Sequence, residues 1–225
     1  MKMKTNTPLD KLLDGGLETD AITNVYGPAG SGKTNIALAS VLSCLESKKV
    51  LYMDTEGSFS IDRFTQLGGT EKDMKNIIMI HVHDWKEQHN KMQEFENVVE
   101  KDRKIGLIII DSLVALYRLE MDDENFQRTN KQLATQYSIL SKIARTRGIP
   151  VLVTNQVYGS ADNTEITSRT IAKYWSKTLI ELRRLEKENQ RVAILRKHRS
   201  LPEGRTIEFE ITNEGLKQVG KFSIF

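Results

Sequence analysis

Eight residues, Gly27-Pro28-Ala29-Gly30-Ser31-Gly32-Lys33-Thr34, restrict the fold of this chain more than any other stretch. They spell G-x-x-x-x-G-K-[ST], a loop whose successive backbone N–H groups curl around a polyphosphate. Bulky side chains would block that approach, and glycine supplies the dihedrals the curl needs. Lys33 is placed to reach the β- and γ-phosphates, and the Thr34 hydroxyl to ligate Mg²⁺. Such a loop must leave a strand and open a helix. Residues 21–26 read as that strand, and Ile36, Leu38, Val41, Leu42 and Leu45 give a partly amphipathic helix. The N-terminal dipole of that helix faces the phosphates. The expected fold is therefore α/β, with a mostly parallel central sheet flanked by helices.

Three further apolar runs end in polar residues where open α/β sheets bind ligands. Residues 50–54 run into Thr55-Glu56-Gly57, and Glu56 is a candidate to orient or deprotonate a water attacking a γ-phosphate. A capping acid or an outer Mg²⁺ partner is the other reading of Glu56, and spacing does not separate the two. Residues 105–111 form the most apolar run and end at Asp111, which would hold Mg²⁺ beside Thr34. Residues 149–154 end at Asn155-Gln156, where the Gln156 amide can sense the terminal phosphate and pass the signal on. A strand is also expected over 77–82, with helices over 85–99 and 133–144. His81, His83 and His89 do not have metal-ligand spacing and are set aside. Two polar stretches, 117–125 and 158–173, carry no core pattern and read as loops. From 179 to 211 three runs alternate with period two, an antiparallel meander on the edge of the parallel sheet.

Length and composition fit one domain, residues 1–225, with 1–8 as a loose leader. No apolar run approaches the roughly 20 residues that cross a bilayer, and the start lacks the apolar core of an export signal. The only cysteine, Cys44, sits in the helical pattern after the loop and fits a reducing cytoplasm. Net charge is +3, but residues 168–205 hold eleven Lys or Arg against four Glu, so the rest of the chain carries −4. That asymmetry suits a polyanionic partner, and a solvated charged hairpin is its plainer explanation.

Taken together, residues 9–34, Asp54-Thr55-Glu56-Gly57-Ser58-Phe59, Ile108-Ile109-Ile110-Asp111-Ser112-Leu113 and Thr154-Asn155-Gln156-Val157 resemble the core of RecA-type recombinases of the archaeal and eukaryotic branch. Lys197-His198-Arg199-Ser200-Leu201-Pro202-Glu203-Gly204, with only about eight residues before Leu9, resembles a short archaeal paralogue of the recombinase RadA. The resemblance implies a RecA-like P-loop NTPase core with ATP and Mg²⁺ as cofactors. It implies Glu56, Gln156 and Lys33 as catalytic residues and 27–34, Asn35 and Arg63 as the nucleotide site, Arg63 packing on the adenine. Thr34 and Asp111 are the implied metal ligands. The two polar stretches correspond to DNA loops, so Arg118, Arg169 and Lys173 become DNA-contact candidates. Arg196, Lys197, His198 and Arg199 occupy the segment that in filaments reaches a neighbour's nucleotide, and are candidates for trans-acting or DNA contacts.

Without the N-terminal domain and linker of full recombinases, the chain is expected to be a monomer or dimer rather than a filament. It would bind single- and double-stranded DNA, hydrolyse ATP weakly and work in DNA repair and homologous recombination. It would assist or regulate RadA rather than exchange strands, with a junction-resolving nuclease as a further partner and no membrane contact. Two other classes share the loop: a nucleotide-gated docking module without useful hydrolysis, and a KaiC-like signalling domain.

Overall fold

The computed structural model describes residues 1–158, 165–166, 169–220 and 222–223. The chain opens with β1 (Lys2–Met3), a short helix α1 (Leu9–Leu12) and β2 (Leu17–Glu18). Then β3 (Ile22–Tyr26) leads through the glycine loop into α2 (Lys33–Leu45) and β4 (Lys49–Asp54). Two short helices, α3 (Ile61–Gln66) and α4 (Glu71–Met74), precede β5 (Ile77–His81) and the long α5 (Trp85–Lys101). The central strand β6 (Ile105–Asp111) is followed by α6 (Ala115–Glu120), α7 (Phe126–Arg147) and β7 (Val151–Asn155). A small ribbon, β8 (Val157–Tyr158) with β9 (Glu165–Ile166), and α8 (Arg169–Trp175) lead to the meander. The meander is β10 (Thr178–Arg184), β11 (Gln190–Lys197), β12 (Thr206–Thr212) and β13 (Gly215–Gln218).

Nine strands form one sheet in the order β13-β12-β11-β10-β3-β7-β6-β4-β5. From β10 to β5 every pairing is parallel, and from β10 outward to β13 every pairing is antiparallel. A parallel strand covered on both faces reads as a continuous apolar run, which is why 105–110 contains no polar side chain. Successive side chains of β6 go to opposite faces. Ile108 and Ile110 join Leu133, Tyr137 and Leu140 of α7 and Met92 and Phe95 of α5. Leu107 and Ile109 join Ile36 and Val41 of α2, Phe64 of α3 and Leu182 of β10. The sheet's C-terminal edge, where β3, β4, β6 and β7 end, is left for the site.

One buried polar knot fixes the strands that feed that edge. The Tyr137 hydroxyl accepts from Nδ2 of Asn24 at 3.0 Å and of Asn155 at 3.1 Å, tying α7 to β3 and β7. All three residues are fully buried, and burial pushes the Tyr137 hydroxyl well above the ordinary tyrosine range.

Four features depart from expectation. Residues 1–8 are not a loose leader: Lys2 and Met3 pair with Glu18 and Leu17, and Thr5 is buried, its hydroxyl donating to Asp10 Oδ1 at 2.8 Å. The docking of that segment requires Gly16, where a Cβ would stand 2.0 Å from the Met3 carbonyl. The stretch 117–125 is helical through Glu120, because Leu116 and Tyr117 are buried against the core. Within 158–173, α8 begins at 169 and buries Ala172; residues 159–164 and 167–168 lie outside the described residues. The meander carries a fourth strand, β13, too short and polar to show period-two alternation.

Candidate nucleotide-binding site

The glycine loop leaves β3 at Tyr26 and enters α2 at Lys33, the strand–loop–helix order its spelling requires. Gly30 and Gly32 sit at φ +70° and +99°, in the left-handed region open to glycine. Gly32 is the residue that caps α2, so the helix starts with no side chain over its first N–H groups. The Lys33 ammonium donates to the Gly27 and Pro28 carbonyls at 2.9 and 3.0 Å, folded back over the loop. Burial lowers the Lys33 pKa, while the charges of Asp111 and Glu56 raise it.

Asp111 ends β6, and its Oδ2 accepts from the hydroxyls of Thr34 (2.9 Å), Tyr52 (3.0 Å) and Ser58 (3.0 Å). Its Oδ1 accepts from Thr154, which stands opposite it in the β6–β7 register. Four hydroxyls donate to this one carboxylate. Thr34 and Asp111, the expected metal pair, are thus in direct contact. Among the described residues no group of three or more His, Cys, Asp or Glu is poised to hold a metal.

Glu56 lies on a turn that Asp54 builds. The Asp54 carboxylate accepts from the backbone N–H groups of Glu56 (3.2 Å), Ser58 (3.1 Å) and Phe59 (3.1 Å). Glu56 Oε1 accepts from Ser112 Oγ at 2.5 Å, and Oε2 from Gln156 Nε2 at 2.9 Å. Gln156 Oε1 in turn accepts from Arg118 Nη1 at 3.2 Å. Ser112, Glu56, Gln156 and Arg118 therefore form one hydrogen-bonded chain from the end of β6 to the exposed end of α6. Leu119, 83% exposed, and Phe126, 52% exposed, stand beyond it.

Arg63 donates from Nε to Asn35 Oδ1 at 2.6 Å and from Nη1 to the Asn213 carbonyl at 3.1 Å, joining α3, α2 and the β12–β13 turn. Arg191 of β11 donates from Nε to the Gly30 carbonyl at 3.0 Å.

The basic segment is engaged within the chain rather than free. Arg196 pairs with Glu181 at 2.6 Å, and Arg199 with Glu18 at 2.7 Å and Asp20 at 2.5 Å. Lys197 donates to the carbonyls of Lys173 and Ser176, at 2.5 and 2.9 Å. The His198 side chain is fully buried; its Nδ1 accepts from the N–H groups of Ser200 and Leu201, both at 3.1 Å, and burial lowers its pKa. Lys173 is exposed on α8, and the Arg169 side chain lies outside the described residues.

Sequence reasoning missed Asp54, Tyr52, Ser58, Ser112, Thr154 and Arg191. Asp54 and Thr154 were within reach, since both end strands parallel to β6. The others depend on contacts between distant segments.

The Rad51 family model matches residues 1–219. The DNA repair and recombination protein RadB of Methanobrevibacter smithii is 41% identical over 224 residues, covering 96% of this chain and 95% of that protein. The protein of the same description from Methanocaldococcus jannaschii is 35% identical over 213 residues, covering 93% of this chain and 98% of the other. A solved structure described as the crystal structure of the RadB recombinase superposes with a TM-score of 0.83 at 34% identity. It covers 97% of this chain and all of its own.

Proposed function

The chain belongs to the Rad51 family, and we propose that it is an ATP-binding, weakly hydrolysing DNA repair and recombination protein. In this reading it binds single- and double-stranded DNA in the cytoplasm and assists or regulates the RadA recombinase rather than exchanging strands itself. A fold of this family implies nucleotide and Mg²⁺ binding in general; the identity of the nucleotide and the roles of the residues are part of the proposal. Near-full-length similarity to RadB proteins supports the recombination setting.

The observation that carries the proposal is the hydrogen-bonded chain Ser112–Glu56–Gln156–Arg118. It joins the nucleotide edge of the sheet to an exposed helix end that bears a cation and apolar side chains. Mg²⁺-ATP would supply the phosphoanhydride and the cation that offsets its charge. Lys33 leaves the Gly27 and Pro28 carbonyls for phosphate oxygens, and the glycine loop presents its N–H groups. Thr34 and Asp111 would hold the metal. Glu56 accepts a proton from a water at one carboxylate oxygen. Gln156 changes partner as Glu56 does, which shifts Arg118 and with it the DNA surface.

Slow turnover is part of the proposal, in which Glu56 meets the water with Ser112 and Gln156 each donating to one of its oxygens. The same observation favours the second reading, a nucleotide-gated docking module without useful hydrolysis. Filter binding of single-stranded and duplex DNA, with and without ATP, tests the first. Affinity should rise with ATP and fall steeply with salt. Absence of binding at low salt with ATP present rejects the DNA-binding reading. Light scattering under the same conditions should show a monomer or dimer.

A further inference from the structure

Three strands of the meander each touch one glycine of the phosphate-binding loop. Beneath Gly27, a Cβ would stand 2.5 Å from the Leu182 carbonyl of β10. Beside Gly32, a Cβ would meet Ile211 of β12 at 3.1 Å and Phe209 at 3.8 Å. Those two contacts are steric and fix the base of the loop. The tip is different. Gly30 is exposed, has φ +70°, and a Cβ there would meet nothing within 4 Å. No packing holds it, and its backbone is the most permissive in the loop. What reaches it is the Arg191 Nε donating to its carbonyl at 3.0 Å.

We propose that Arg191 is a positioning residue for the phosphate-binding loop, turning the Gly30 carbonyl outward so that the loop tip stays shaped for a nucleotide; this rests on the nucleotide reading above. The geometry around Arg191 is built for such a hold. Its Nη1 donates to the Gln190 carbonyl at 2.8 Å, so the guanidinium is tied to its own strand and cannot swing freely. Its planar fork serves both carbonyls at once, which an ammonium cannot do in the same way. Fixing the Gly30–Ser31 peptide also fixes the N–H at its other end, which donates inward to the Pro28 carbonyl at 3.2 Å. A donor on one end of a peptide polarises the other and strengthens it as a donor.

Charge points the same way. Arg184 stands directly across from Arg191 in the β10–β11 register. Like charges in that position weaken a sheet unless something offsets them. An anion held at the loop tip would offset the charge of Arg191, which reaches it. Burial, and then Arg184, lower the Arg191 pKa, consistent with a cation held close to other positive charge.

The test uses the full chain and a fluorescent ATP analogue with Mg²⁺. Arg191→Ala should weaken nucleotide affinity about tenfold, the scale of one charge-assisted hydrogen bond. Arg191→Lys, which keeps the charge and one donor but not the fork, should recover only part of the lost affinity. Thermal midpoints of the nucleotide-free variants should match the parent, which a plain packing role would not predict. Parental affinity in Arg191→Ala overturns the proposal, as does an equal loss in both variants with a lowered nucleotide-free midpoint. Lys33→Ala separates this from the larger reading. If Lys33→Ala binds the analogue like the parent, the nucleotide site itself is wrong; if Lys33→Ala fails and Arg191→Ala does not, only the role of Arg191 is wrong.

Discussion

Gln156 Nε2 lies 2.9 Å from Glu56 Oε2, although the two residues are 100 positions apart and on different strands' ends. The pairing follows from topology: β4 and β7 flank β6 on either side, so whatever follows each strand meets over the end of β6. Ser112, the first residue past β6, completes the contact from below by donating to Glu56 Oε1 at 2.5 Å. An acid held at both oxygens is oriented, and a change at either partner is felt by the other.

Gln156→Ala should therefore separate two activities. It removes the link between Glu56 and Arg118 while leaving the phosphate loop, Lys33 and Asp111 in place. ATP affinity should stay within about twofold of the parent, and the ATP-dependent gain in DNA affinity should disappear. Glu56→Gln is the complement: nucleotide binding persists while turnover falls roughly 100-fold or more, the scale of a lost general base. Equal turnover in Glu56→Gln and the parent would favour the docking module. Turnover by phosphate release and DNA affinity by filter binding read the two effects independently.

The lowered Lys33 pKa gives a pH signature. In the free protein burial favours the neutral amine, with Asp111 and Glu56 opposing. A triphosphate against the ammonium raises the value again, so binding takes up part of a proton in the alkaline range. Affinity should then fall as pH rises through the free-state value. Titration calorimetry in buffers of different ionisation enthalpy, from about pH 8 to 10, should show proton uptake. Lys33→Arg should bind without it, since a guanidinium does not titrate there. A heat that does not depend on the buffer contradicts this assignment of Lys33.

What the residues disclosed about the fold tracks how local the signal was. The run at 105–111 is legible because a strand buried on both faces must be apolar throughout and its single acid must emerge at the end. The loop at 27–34 is legible because its chemistry dictates its spelling. The partners of Asp111 are not: Thr154 and Tyr52 reach it from the neighbouring strands β7 and β4, and Ser58 through the turn after β4. Arg199 looks free in sequence because its counter-charges, Glu18 and Asp20, lie about 180 residues away. Helix α8 hides in a Ser- and Thr-rich stretch because it buries Ala172 fully and Ile171 and Trp175 only in part.

Tyr137→Phe tests the buried knot behind the site. Removing the hydroxyl leaves the Asn24 and Asn155 amides without the acceptor they share. A buried donor stripped of its partner costs about 1–3 kcal/mol. At this chain length each kcal/mol lowers the thermal midpoint by about 2–4 °C. Nucleotide affinity should fall with it, because β3 carries the phosphate loop and β7 carries Gln156. A midpoint within 1 °C or so of the parent, read by circular dichroism, would mean that water replaces the hydroxyl.

Arg199 should matter to acid stability before it matters to DNA. Its hydrogen bonds hold the Asp20 carboxyl below the usual carboxylate range, and it also donates to the buried Glu18 at 2.7 Å. A carboxyl whose folded-state pKa is depressed stabilises the fold above the ordinary carboxylate pKa, and that contribution fades as pH falls through the lowered value. The window therefore opens below about pH 4. Asp20 is 44% exposed, so solvent screens its share. Arg199→Gln should lower the thermal midpoint at neutral pH. The gap to the parent should narrow as pH drops below 4, because protonated Asp20 no longer needs the guanidinium. Arg196→Glu, which puts a second acid beside Glu181, should also lower the midpoint at neutral pH. Melting both variants and the parent from about pH 7 to pH 3 decides it. A constant gap for Arg199→Gln across that range would mean that its contribution is packing rather than charge, and would return the residue to the list of candidates for DNA contact.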